Sequence, residues 1–213
     1  MSSLIALVLV VLLAFSYKIV DLIVRGIIGR TLYRKIANEI IYIWGILLTG
    51  IVYFYEDNYV FRLPIHYEPI VLLVFIAAIT IIFISRYSGY KPSGKKNILN
   101  FVLMYPIVEE VIFRGMILPI LNNSLPIYTH FELLHTPVTV QILMSSFLFA
   151  VSHLQYYSFN RTSIKFMVFA FLGGMIFGMI TDSSLSIVFA LLLHIEFNLL
   201  SVYYSKRAQQ INK

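Results

Sequence analysis

No cysteine occurs in the 213 residues, which excludes disulfides, thiolate metal sites and a thiol nucleophile. Charge is scarce too: Asp, Glu, Lys and Arg make up 12% of the chain against 60% hydrophobic residues, with mean hydropathy +0.86. That composition lies far outside the range of soluble domains. The apolar stretch Leu4–Phe15 lacks a basic segment before it and a small-residue cleavage pattern after it. It reads as a retained span rather than a removable signal. Internal repeats and low-complexity segments are also missing.

What is present is a series of apolar blocks, each about the 20 residues needed to cross a bilayer. They predict an all-α polytopic bundle of seven transmembrane helices near residues 4–24, 39–55, 69–85, 98–121, 137–157, 164–181 and 184–204. The first is the weakest, since Lys18 and Asp21 fall in its last turns. Loop charges support the count. Arg25, Arg30, Arg34 and Lys35 occupy the first connection, Arg86, Lys91, Lys95 and Lys96 the third, Arg161 and Lys165 the fifth, and Lys206, Arg207 and Lys213 the tail. Of Lys and Arg, the intervening connections hold only Arg62. The net charge of +6 therefore reads as a topology signal and not as a nucleic-acid surface. It predicts a multi-pass plasma-membrane protein with its N-terminus outside and C-terminus in the cytoplasm. The chain divides into N-terminal helices (1–97), a helical core (98–204) and a tail (205–213).

The fourth span contains Glu109, Glu110 and Arg114 within an otherwise apolar helix. Even low estimates put one charge at the bilayer centre near ~3 kcal/mol, so three together require partners and a polar cavity. Glu110 and Arg114, four apart, share a face and can pair, while Glu109 projects about 100° away. Two acids beside one Arg should differ in protonation, leaving one to act as a general base. A structural salt bridge or a proton relay would use the same residues. The fifth span ends at His153, and the seventh holds His194 and Asn198 on one face at i, i+4. One such His alone reads as a core hydrogen-bonding residue. Beside the acidic helix, His194 and Asn198 suit either metal coordination or donation to an oxyanion. At 1.5 Å per residue, Glu109 lies roughly 12 Å below the cytoplasmic surface, and the two histidines roughly 6 to 15 Å below it.

Glu109-Glu110-Val111-Ile112-Phe113-Arg114, Phe149 to His153, and His194 to Asn198 match in order the Glu-Glu-x-x-x-Arg, Phe-x-x-x-His and His-x-x-x-Asn motifs of a known family. Residues 98 to 204 resemble the CAAX protease and bacteriocin-processing enzymes (the CPBP or Abi family), which include prenyl-protein endopeptidases. The resemblance implies an intramembrane endopeptidase. Glu109 would activate water with Glu110 as its partner, Arg114 would orient the acids, His153 would position the water or a metal, and His194 with Asn198 would polarise the scissile carbonyl. It leaves open a zinc ion, with His153, His194 and Glu110 as candidate ligands, against a metal-free glutamate-activated water. No His-Glu-x-x-His pair is present. The implied partners are the lipid bilayer and a small hydrophobic, lipidated or leader-type peptide, in bacteriocin processing or self-immunity. A non-catalytic regulator or immunity protein and a proton-coupled transporter are the other two readings. No inverted repeat favours the latter.

The remaining polar features have plainer readings. Ala170, Gly174 and Gly178 recur every four residues and predict a close helix-packing face. Glu196, about 200° from His194, should face away from it. His130, Glu132 and His135 read as a solvated outer cluster, and His66 likewise.

Overall fold

Hydrocarbon offers no water to satisfy backbone N–H and C=O groups, so apolar runs of this kind must bond internally as helices. The computed structural model describes residues 2–65, 67–127, 129–155 and 157–211, without the side chains of Asn38, Thr129, His130 and Ile211. His66 and the His130 side chain therefore lie outside the described residues. The N-terminal part comprises α1 (Ser3–Ala14), α2 (Ser16–Ile36), α3 (Ile40–Tyr53) and α4 (Val71–Ile84). A winding run then follows from Lys95 to Ser124: α5 (Lys95–Leu99), a π segment (Asn100–Met104), α6 (Tyr105–Ile112), a second π segment (Phe113–Ile117) and α7 (Leu118–Ser124). After a short hairpin come α8 (Val140–Ser152), which tightens into a 3-10 turn at His153–Gln155, then α9 (Arg161–Ser184) and α10 (Val188–Ile211).

Three departures from the sequence reading matter. First, not every expected span is one long continuous helix. Among the described residues three segments suffice by length and composition to cross a membrane, Glu68–Tyr87, Arg161–Ser184 and Val188–Gln210, or four if α1 and α2 count as one. Ile40–Tyr53 and Val140–Gln155 are apolar but short. Fourteen residues reach only about 21 Å against ~30 Å of hydrocarbon. Second, the first span is broken: α1 and α2 meet at Phe15 with a bend of 62°. Lys18 and Asp21 lie beyond the break, where Asp21 is buried and accepts a hydrogen bond from the Tyr33 hydroxyl at 2.6 Å. Third, the bundle carries an antiparallel hairpin, β1 (Thr129–Leu133) with β2 (Thr136–Thr139). Its two turn residues, Leu134 and His135, both have positive φ (51° and 62°), the arrangement of a type I′ turn. Glu132 and His135 are exposed on it, as a solvated cluster would be.

The core has two main parts on either side of the Lys95–Ser124 run. Trp44, Leu48, Val108, Ile112 and Phe149 fill one, between α1, α3, α6 and α8; Leu73, Ile142, Phe177, Ile180 and Leu193 fill the other, between α4, α8, α9 and α10. Large apolar side chains such as Ile46, Phe75 and Leu192 point outward, the reverse of a soluble surface and the natural contact with lipid tails. The α9 packing face is close, as the small-residue spacing predicts. A Cβ on Gly178 would meet Ile142 of α8 at 3.0 Å.

π winding shifts the carbonyl partners, with Leu118 N–H reaching back to Phe113 O, and side chains from other helices add bonds at both segments. Phe101 O accepts from Asn198 Nδ2 at 2.7 Å, and Phe113 O accepts from Ser145 Oγ at 2.9 Å. Between these two fixings α6 presents its acids.

Candidate active site

An arginine and a glutamate that are both fully buried need each other, and the α-helical repeat places them one above the other. Arg114 and Glu110 each show 0% exposure, with Arg114 Nη1 donating to Glu110 Oε1 at 3.1 Å. The rest of the guanidinium is covered by ring faces. Its carbon lies 4.4 Å from the Phe149 ring centre and 5.7 Å from that of Phe177, a cation–π enclosure. Arg114 Nε and Nη2 have no hydrogen-bond partner among the described residues. Gly174 makes the room: a Cβ there would stand 3.0 Å from Arg114 Nη2 and 3.2 Å from the Phe149 ring. The small-residue stripe on α9 thus does more than bring two helices together.

The same Glu110 oxygen reaches across to α10, where His194 Nδ1 lies 2.8 Å away. With a carboxylate as acceptor, Nδ1 carries the proton, and Arg114, Glu110 and His194 form one chain of hydrogen bonds. This fixes the imidazole so that Nε2 faces the other acid. Glu109 Oε2 lies 3.7 Å from that nitrogen, too far for a direct hydrogen bond and close enough for both to bond one oxygen atom placed to the side of the line joining them. Glu109 is partly accessible where Glu110 is sealed. His153, in the 3-10 turn after α8, bonds through Nδ1 to the Phe149 carbonyl at 2.9 Å, which leaves its Nε2 free. It stands within electrostatic reach of Glu109. Asn198 lines the cavity with His194, on the shared face that the i, i+4 spacing predicts. Its amide nitrogen also holds the Phe101 carbonyl, at 2.7 Å. Glu196 is partly exposed and forms no ion pair among the described residues.

Glu109, His153, His194 and Asn198 all line one cavity of about 570 Å³. Its other walls are mostly apolar, with Leu73 and Ile76 from α4 and Phe169 and Phe177 from α9, and Thr80 and Tyr90 among the few further polar groups.

A family model described as "Type II CAAX prenyl endopeptidase Rce1-like" matches residues 95–200, the run that supplies every polar group of this cluster. The chain belongs to the CAAX protease family through this region. It is accordingly a membrane protein with a peptidase role. No curated protein and no solved structure matches the chain.

The family's possible zinc ion can be set against these side chains. Among the described residues no three His, Asp or Glu side chains converge as metal ligands. Glu110, a candidate from sequence, lies against Nδ1 of His194, on the opposite ring edge from Nε2, and already accepts from Arg114. It supports the histidine rather than sharing a ligand position with it. The residues as placed do not fit a His153, His194 and Glu110 zinc set, and no step below passes through a metal.

Sequence reasoning missed two supporting residues. Ser145 holds the Phe113 carbonyl, and nothing in its local pattern marks it. Gln155, two residues beyond His153, accepts from Lys18 N at 3.1 Å and donates to Ala14 O at 2.9 Å. Its side chain thereby fastens the break between α1 and α2 to the turn that carries His153.

Proposed function

We propose that this CAAX protease hydrolyses a peptide bond of a hydrophobic or lipidated peptide with a water activated by Glu109. The observation that carries the reading is the 3.7 Å gap between Glu109 Oε2 and His194 Nε2 on the wall of an apolar cavity. A water held there gives its proton to Glu109 as its oxygen attacks the scissile carbonyl carbon. The resulting oxyanion is met by His153 and His194 in their imidazolium forms, whose Nδ1–H groups are held by the Phe149 carbonyl and Glu110 and whose Nε2–H groups donate to it. Glu109 then passes its proton to the leaving nitrogen, the C–N bond breaks, and a carboxylic acid and an amine are released. Glu110 and Arg114 are positioning residues that hold His194 in one orientation. Asn198 acts through the Phe101 carbonyl it holds.

The apolar walls from α4 and α9 suit a prenyl or acyl chain beside the peptide, and the charge pattern supports seven membrane-crossing segments with the N-terminus outside and the polar cluster nearer the cytoplasm. Residues 98–204 act as the catalytic core. A purified Glu109→Ala variant that still cleaves a substrate of the parent chain at the parent rate overturns the assignment. Chelation decides the metal question separately: unchanged activity supports the water route, and loss with recovery on zinc replaces it.

A further inference from the structure

The 62° bend at Phe15 turns α2 away from the direction of α1, at the end of the bundle that holds the His153 turn. Up to Ile28 its residues sort into three strips at 100° each. Val20, Val24 and Ile28 are half-buried against the protein. Ile19, Ile23 and Ile27, at i, i+4 and i+8, are 38%, 53% and 78% exposed. Lys18 and Arg25 are exposed as well, and lie about 150° round from these isoleucines. A helix with one apolar and one basic outer strip lies in a membrane–water interface, the first strip toward acyl chains and the second toward headgroups.

Gly29 then breaks the winding, with a φ of +72° that residues bearing a side chain rarely adopt. A continuous helix would hold Asp21 and Tyr33 roughly 18 Å apart along its axis. Instead the Tyr33 hydroxyl reaches Asp21 at 2.6 Å, and its ring centre lies 5.8 Å from the Arg25 guanidinium carbon. Residues 30–36 are therefore bent back toward the helix, and their charges join its basic strip on one short stretch of surface. The only acid of α2, Asp21, is buried and stands 3.8 Å from Lys18. Arg30, Arg34 and Lys35 are exposed and form no hydrogen bond or ion pair among the described residues. The next acid along the chain, Glu39, is paired with Lys96. Unpaired cations beside an outward apolar strip complement the phosphate of an anionic lipid.

We propose that α2 is a docking surface for anionic lipid headgroups in the leaflet at the His153 end of the bundle, held by Arg25, Arg30, Arg34 and Lys35. Bound headgroups act on the candidate active site through Gln155. That side chain, two residues beyond His153, accepts from Lys18 N at 3.1 Å and donates to Ala14 O at 2.9 Å. Lipid that holds α2 in place thereby steadies the turn carrying His153, and turnover rises. The docking stands on α2 alone, while its effect on turnover rests on the peptidase reading above.

Trp44, the single tryptophan of the chain, reports on this region: its Nε1 donates to Ser16 Oγ at 3.1 Å and its ring lies 5.2 Å from that of Tyr17. The full-length chain is reconstituted in phosphatidylcholine vesicles carrying a minor share of brominated phosphatidylglycerol or brominated phosphatidylcholine, and quenching of Trp44 fluorescence is read. The quenching should show phosphatidylglycerol enriched at least about fivefold near Trp44, the ratio that one basic residue at an anionic surface contributes, and less at high salt. The triple variant Arg30→Gln, Arg34→Gln, Lys35→Gln, at exposed positions that leave the fold intact, should bring the enrichment below about twofold. Arg30→Lys with Arg34→Lys should keep it, and so should Lys206→Gln with Arg207→Gln at the exposed end of α10. Equal quenching by the two lipids, enrichment that survives the triple change, or an equal loss in the α10 variant overturns the docking surface. Competition by glycerol phosphate beyond that of sodium chloride at equal ionic strength also overturns it, in favour of a site for soluble anions. Turnover of a cleaved peptide should rise severalfold with phosphatidylglycerol in the parent chain and stay level in Gln155→Ala. No rise in the parent, or a rise that survives in Gln155→Ala, overturns the coupling. A chain that cleaves no peptide yet shows the enrichment overturns the peptidase reading and the coupling with it, and leaves the docking surface standing.

Discussion

The N-terminal helices and the Lys95–Ser124 run are both apolar, yet they solve the cost of polar groups in opposite ways. In α1 to α3 the polar contacts are sparse and mostly pairwise, such as Trp44 Nε1 to Ser16 Oγ at 3.1 Å just past the Phe15 bend and the Tyr33 hydroxyl to Asp21 within α2. In the later run, polar groups sit mid-helix and are held from several elements at once: Glu110 by Arg114 and His194, Arg114 by rings from α8 and α9, and two carbonyls by Asn198 and Ser145. A lipid-facing helix can lose one such bond to a snorkelling side chain or a water. A sealed charge has no such alternative.

Substitutions can break that contrast. The largest effect on turnover is expected at Glu109: Glu109→Gln should lower kcat at least ~100-fold with an unchanged unfolding midpoint, because the role proposed for this acid is chemical and its side chain carries little packing. Arg114→Met should act in the other direction, destabilising by about 3–5 kcal/mol through the buried charge left on Glu110, seen as a drop in the detergent unfolding temperature. Gly174→Ala follows, at about 1–3 kcal/mol, since its Cβ presses on Arg114 and Phe149. Gln155→Ala removes two bonds to the α1–α2 break and should cost about 1 kcal/mol, with turnover falling severalfold as the His153 turn loosens. Trp44→Phe should be the mildest, under ~1 kcal/mol with full activity, measured by the same melt and assay. A larger loss at Trp44 than at Arg114 would end the distinction between the two regions.

Helical periodicity made part of this readable beforehand. The Glu110–Arg114 pair follows from a four-residue spacing, and the freedom of Glu109 from the next residue lying about 100° round the helix. The break at Phe15 does not follow from local sequence, because no Pro or Gly marks it and Gln155, which stabilises it, is over a hundred residues away. The hairpin was hidden for a similar reason: Leu134 and His135 occupy turn positions where Gly or Asn usually signals φ > 0. Asn198 was legible as a cavity residue, but its hydrogen bond depends on a π segment that spacing rules written for α-helices do not anticipate. The shortness of Ile40–Tyr53 was legible, because Glu39 and Glu56 bound the apolar block.

The two π segments also set an angular position. Each wide turn holds about one residue more than α winding would use, so α6 behaves as a drum whose bearing depends on how many residues precede it. Wound as plain α-helix, the same residues Asn100–Met104 would turn Tyr105–Ile112 by about 100°, with each side chain taking the direction its successor has now. Glu109 would then point where Glu110 points now, toward Arg114 and His194, and Glu110 would turn away from them. Which of two chemically identical neighbours meets the substrate is settled by counting along the backbone rather than by anything in the carboxylates themselves.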